Sequence, residues 1–278
     1  MNPSPLRWSL LGLLTLIPSA SAHEHLAAGA ATPEQDAALL FVNAGNFAAE
    51  SGYVVSLEPT IGIPSAHGFR GELTFVCLAA TPDLGGPVPF HPALGTRVEA
   101  VVESAEGPAG GEFGFWESTE GTGLTPSLTF ALPVGTTNGV NRFAVSENDG
   151  SPGADPYGHV HGRVFSATLP GLYRIGLRFV DTSTNGRNGG PLHTPSPRFH
   201  LYFQAGLTLG SLTETPEGLQ LTYATRSGFN YHVEATTSLA GTWSAVTPVE
   251  PGNDHLKTVT IPATSDPVRY FRLRRESE

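Results

Sequence analysis

His159-Val160-His161 is the segment of this chain whose residue types and spacing best suit chemistry. In an extended strand, residues i and i+2 point to the same face, so two imidazoles can converge on one cation. The segment stands where a loop rich in Gly, Pro and Asp, Ser146 to Gly158, feeds a strand. The same spacing recurs at His23-Glu24-His25, and His67, His91 and His193 occupy loop-like or strand-end contexts. Ten histidines beside 15 Lys plus Arg point to a multi-histidine site. Imidazole suits zinc, copper or nickel far better than calcium or magnesium. The expected ligand set is His159, His161 and His25, completed by His193 or His67, with zinc as the ion. The plainer alternative is two polar side chains on a wet strand face.

His23 adds a second possibility. If a leader is cut after Ala22, the free α-amine and the imidazole of His23 can together chelate copper, as in the histidine brace of copper-carrying proteins and oxidative polysaccharide-cleaving enzymes. Calcium is a third guest to weigh, since Glu147, Asn148, Asp149 and Asp155 offer oxygen ligands within one loop. That loop lacks the EF-hand order of ligands, and aspartates capping backbone N–H groups in a solvated turn is the favoured account of it.

Catalysis has less support. There is no GxSxG elbow, and no spacing singles out a Ser, His and Asp triad. Glu112, Glu117 and Glu120 flank Trp116, an arrangement met in sugar sites, but a large aromatic is expected to anchor the core. Cys77, the single cysteine, sits in the apolar run Phe75 to Ala79. It has no disulfide partner within the chain and is expected to be buried and inert.

The elements that must position these residues read as strands. Charged residues make up only 14% of the chain, while Gly (33) and Pro (24) are abundant, a composition that favours short strands joined by turns. Strands are expected at 38–42, 53–57, 71–79, 97–103, 113–116, 127–132, 160–167, 171–180 and 198–204. In Gly171 to Val180, apolar Leu172, Ile175, Leu177 and Phe179 alternate with Arg174, Gly176 and Arg178 around one irregular step at Tyr173, the pattern of a strand with one buried face. An all-β fold follows: a β-sandwich domain over residues 23–206 and a smaller, sandwich-like β module over 207–278.

Residues 1–22 read as a secretory signal peptide. Arg7 supplies a positive start, Leu10 to Ile17 is apolar but too short to cross a bilayer, and Ala20-Ser21-Ala22 offers the small residues a signal peptidase requires. The expected location is therefore outside the cytoplasm: periplasm, outer surface or extracellular space. The absence of disulfides suits a bacterial envelope. No second long apolar run predicts a transmembrane segment in the mature chain, and the formal net charge of −10 argues against nucleic acid or an anionic membrane as partner.

Two resemblances add to this. Tyr231 to Val246 (YHVEATTSLAGTWSAV) with Arg269 to Arg274 (RYFRLR) resembles a C-terminal β module of exported proteins from Verrucomicrobia and their relatives, covering about residues 231–274. It departs from that module's pattern at Thr237 and in the order Tyr270-Phe271-Arg272. Gly107 to Glu117, Tyr157 to Phe179 and Phe203 to Gly206 resemble the choice-of-anchor M type extracellular domain of bacterial surface-anchored proteins, covering about residues 107–206. Some members of that family lie beside metal-type ABC transporters, so the resemblance implies metal acquisition or surface display, with envelope or surface components as partners. No sortase-type anchor or terminal membrane tail is expected, so the anchoring part of the resemblance does not carry over. The function expected overall is an exported, non-enzymatic protein that binds a transition metal. A metal-free display or adhesion scaffold and a copper-dependent oxidative enzyme acting through His23 are the alternatives.

Overall fold

A computed structural model of the chain describes residues 25–60, 67–117, 127–161, 163–266 and 268–278. The expected signal peptide, His23 and Glu120 lie outside the described residues. The chain is about 47% strand and 6% helix, so the all-β expectation holds. Among the described residues, no helix is long and apolar enough to cross a membrane.

The first thirteen strands run β1 (Leu26–Ala30), β2 (Leu39–Phe41), β3 (Val55–Pro59), β4 (Phe69–Glu72), β5 (Phe75–Cys77), β6 (Val98–Glu106), β7 (Glu112–Trp116), β8 (Leu128–Pro133), β9 (Asn141–Ala144), β10 (Gly158–Val160), β11 (Val164–Ala167), β12 (Gly171–Asp181) and β13 (Phe199–Ala205). One short helix, α1 (Ala44–Phe47), follows β2. Nine strands form a single near-closed sheet in the order β8-β7-β11-β4-β3-β13-β12-β6-β9, and a smaller sheet has the order β10-β5-β1-β2. The large sheet wraps onto its own inner face. Phe115 of β7 stacks on Phe143 of β9 at 4.4 Å, and Phe113 meets Phe203 of β13 at 4.8 Å. Phe75 of β5 joins the same cluster through Phe143 at 5.1 Å. Buried aromatic pairs of this kind add to the area they remove from water.

Two expected strands each divide in two. The stretch 71–79 becomes β4 and β5, and 160–167 becomes β10 and β11. The two stretches run antiparallel side by side, β4 against β11 in the large sheet and β5 against β10 in the small one. Both chains cross between sheets at the same level, where the N–H of Leu73 donates to the carbonyl of Arg163 (3.1 Å). His161 stands at that crossing.

The C-terminal region holds β14 (Leu209–Thr215), β15 (Gly218–Ala224), β16 (Phe229–Thr236), β17 (Ser244–Ala245), β18 (Glu250–Pro251), β19 (Leu256–Ile261) and β20 (Tyr270–Ser277). β14, β15 and β19 make one sheet, and β16 pairs with β17, β18 and β20 in the other. Leu221, Tyr223, Tyr231, Val233 and Ile261 form the fully buried centre between them.

Candidate metal centre

The small sheet brings three of the expected histidines together. Parallel pairing sets Leu26 of β1 opposite Phe75 of β5, and antiparallel pairing sets Val160 of β10 opposite the same Phe75. One step along each strand, His25 and His161 therefore flank Thr74, while His159 lies in the next same-face row with Val76 and Ala27. Side chains alternate across a strand. Leu26, Ala28, Phe75 and Cys77 consequently face the core, and His25, His159 and His161 share the outer face. Their ring centres are 4.8 Å (His25 to His159), 5.8 Å (His25 to His161) and 4.3 Å (His159 to His161) apart.

Backbone contacts hold the strands that carry these rings. Asn43 accepts the N–H of Ala27 (2.9 Å) and donates its amide to the carbonyl of His25 (2.8 Å), pinning the start of β1. On the far edge of the sheet the His159 N–H donates to Oε1 of Glu147 (2.8 Å), which satisfies an edge-strand donor. Gly158 is forced by close approach, because a Cβ there would stand 2.0 Å from the carbonyl oxygen of Val145. Thr74 Oγ1 lies 3.5 Å from Nδ1 of His161. Nε2 of His159 is buried and has no hydrogen-bond partner among the described residues.

As the side chains stand, no group of three or more His, Cys, Asp or Glu among the described residues is set to hold a metal ion. The three ring centres nevertheless stand within 4.3 to 5.8 Å of one another. Imidazoles sharing a tetrahedral zinc with Zn–N bonds of about 2 Å hold their ring centres about 5 Å apart. The rings are tilted to one another by 54°, 88° and 46°. Turning them is a side-chain motion that leaves the strands in place.

The remaining expected ligands sit elsewhere. His193 is 1% exposed. Its Nδ1 donates to the carbonyl of Ala37 (3.0 Å), and its Nε2 accepts the N–H of Ala93 (2.9 Å), so both nitrogens are spent on backbone. Burial, partly offset by the Ala37 hydrogen bond, lowers its pKa. An unfolded histidine binds its proton near a pH of about 6.5. Between that pH and the lower folded value, the unfolded state holds more protons, so the stability His193 supplies near neutrality is lost on acidification. His193→Gln should therefore lose less stability than the native chain between about pH 7 and pH 5, read as the change in urea midpoint. Equal losses would remove His193 as a source of acid sensitivity.

His67 belongs to a buried polar array on the outer face of the large sheet. Trp116 Nε1 donates to Oγ of Ser166 (2.7 Å), and that hydroxyl lies 3.0 Å from Nδ1 of His67. His67 Nε2 is 3.6 Å from Glu112. Indole N–H only donates. The serine oxygen therefore accepts from the indole, with its second lone pair or its own proton left for Nδ1 of His67. This is the order of a serine, histidine and carboxylate relay, but Ser166 is 0% exposed and offers no surface to a substrate. Burial, opposed by Glu112 and aided by Arg70, lowers the pKa of His67. Trp116 is buried outside the main core cluster, beneath the guanidinium of Arg70 at 3.8 Å. The alternation of β7 explains this departure from the expected core anchor: Phe113 and Phe115 take the inner face, so Glu112, Gly114 and Trp116 take the outer one. Glu117 pairs with the buried Arg163.

The oxygen-rich loop uses its side chains on backbone. Asp155 accepts N–H groups from Ala80, Thr81 and Tyr157, Asp149 accepts that of Ser151, and Asn148 accepts that of Gly150. Burial alone would raise the Asp155 pKa, but these hydrogen bonds outweigh it and the net shift is downward. Cys77 is fully buried in the core, and burial pushes its thiol pKa up to about 12. Sequence reasoning missed Asn43 and the backbone role of Glu147, because their partners lie 12 to 18 residues away.

Comparison of the chain with family models, curated proteins and solved structures returns no match.

Proposed function

We propose that this is an exported, non-enzymatic protein that binds a transition metal, with zinc the best-fitting ion, through His25, His159 and His161. The observation that carries the reading is Nε2 of His159, a buried ring nitrogen with no hydrogen-bond partner among the described residues, beside two further imidazoles at ligand spacing. A buried polar atom left unpaired costs stability, and a bound ion is one of the few ways to repay it. Nitrogen-only donors favour zinc, copper or nickel over oxygen-seeking calcium. The capped state of Asp149 and Asp155 also weighs against a calcium site in the Ser146 to Gly158 loop. The resemblance to surface-anchored extracellular domains accords with export and with metal acquisition at the cell surface.

The test is a cobalt(II) titration of the purified mature protein, followed in the visible d–d bands that a tetrahedral site intensifies, with zinc as competitor. One equivalent of cobalt, displaced by zinc, is expected. A chain that takes up neither ion above the background of a denatured control would reject the reading.

A further inference from the structure

The C-terminal module is tied to the larger domain by more than chain continuity. The N–H of Val54 donates to the carbonyl of Asp254 (2.9 Å) and that of Leu256 to Gly52 (2.8 Å), on either side of an antiparallel bridge between Tyr53 and His255. The rings of those two residues meet edge to face at 5.9 Å. Gly52 has a φ of +73°, a left-handed turn that glycine adopts without strain. Beside this short zip, Nη1 of Arg275 donates to both oxygens of Glu58 (2.9 and 3.0 Å), and Arg226 stands 3.5 Å from the same carboxylate. Arg275 also lies over the ring of Phe229 at 4.6 Å.

The docked segment continues directly to the imidazole cluster. Tyr53 packs on Phe47 of α1 at 4.7 Å, and Phe47 packs on Phe41 of β2 at 5.4 Å. Phe41 lies opposite Ala28 of β1. Asn43, between Phe41 and α1, is the residue that pins the His25 carbonyl and the Ala27 N–H. The surface on which the module docks and the clamp on His25 therefore belong to one packed stretch, residues 41–54.

We infer that docking of the C-terminal module braces this stretch and thereby positions His25, making the module a regulator of the imidazole cluster rather than an independent appendage. A ligand held in place before binding spares the ordering cost that a mobile one incurs. A stretch released at one end opens locally at a lower free energy. The affinity part of this inference rests on the metal reading above; the bracing part does not.

The experiment uses the full chain with Glu58→Gln, Arg275→Gln and the charge swap Glu58→Arg/Arg275→Glu, read by amide hydrogen exchange and by cobalt(II) affinity. Each single variant should speed exchange at residues 25–30 as well as at 43–54, and should weaken cobalt binding about 5-fold or more. The swap should recover both in part, because Arg226, which stands beside position 58, repels the exchanged guanidinium. Faster exchange confined to 52–54 and 253–257, with residues 25–30 and cobalt affinity at native values, would overturn the inference. If the native chain binds no cobalt, the metal reading fails alone, and exchange at 25–30 decides the brace by itself.

Discussion

His159→Ala/His161→Ala is expected to weaken zinc or cobalt(II) binding about 100-fold or more while leaving the fold intact, since even outer-shell changes cost 10–100-fold. The two residues supply two of the three clustered imidazoles, and both lie on the outer face of the small sheet, away from the core. His161 is exposed and His159 half-buried, so truncation opens no core cavity. Because Nε2 of His159 has no partner to lose, its removal strands no other buried group. The metal-free double variant should therefore stay within about 1 kcal/mol of the metal-free native protein, the loss coming from the contact of His161 with Thr74, whereas added zinc should raise the melting temperature of the native protein only. His193→Gln should bind as the native chain does, because both ring nitrogens of His193 already serve backbone groups. Imidazole must be unprotonated to ligate, so native binding should release protons and weaken as the pH falls. Unchanged affinity in the double variant would place the ion elsewhere and end the proposal.

The largest loss of stability is expected from Asp181→Ala, at about 4 kcal/mol, given 1–3 kcal/mol for each buried donor left unsatisfied and partial rescue by water. Asp181 is buried at the end of β12, and its carboxylate accepts four backbone N–H groups: Arg97 (3.2 Å), Ser183 (2.9 Å), Leu192 (2.7 Å) and His193 (3.1 Å). It thus ties the start of β6 to both ends of the 183–193 loop. The same loop delivers His193 to Ala37 and Ala93, so the variant should loosen the approach to β2 as well. A total stability of 5–15 kcal/mol is usual for a domain, so such a loss consumes much of it. Asp181→Asn keeps one acceptor and should lose about half as much. Urea denaturation of the three proteins decides the matter; an alanine variant within about 1 kcal/mol of native would mean that water replaces the carboxylate at little cost.

How far the structure was legible in sequence depended on the range of the interaction. Gly171 to Val180 announced its strand because alternation is a property of neighbours, and β12 spans Gly171–Asp181, but Tyr173 and not Leu172 takes the buried face with Ile175, Leu177 and Phe179. β1 passed unnoticed: Leu-Ala-Ala-Gly-Ala has little intrinsic preference for a strand. Its small side chains become intelligible only in place, where the Phe90 carbonyl approaches Gly29 so closely that a Cβ would stand 2.5 Å away. The stretches 71–79 and 160–167 looked continuous because an apolar run carries no mark of passing from one sheet to another. Trp116 shows the opposite limit. Its bulk suggested a core position, but the parity of β7 gave the inner face to phenylalanines and left the indole to a polar array under Arg70.

The sequence by itself determined the all-β class, through composition and turn punctuation, and the shared face of His159 and His161, through the two-residue period of a strand. It also isolated Cys77 in an apolar run. That His25 belongs with the pair was expected from its own His-x-His spacing, but how it reaches them, and that His67 and His193 do not, was decided by tertiary structure. His25 lies more than 130 residues from His159 in the chain, and it arrives beside the pair because β1 and β10 both pair with β5. Strand pairing across such a separation depends on the register of β5, which residues near the histidines do not encode. Contacts made away from β5 left His67 to Ser166 and Glu112, and His193 to the backbone of Ala37 and Ala93.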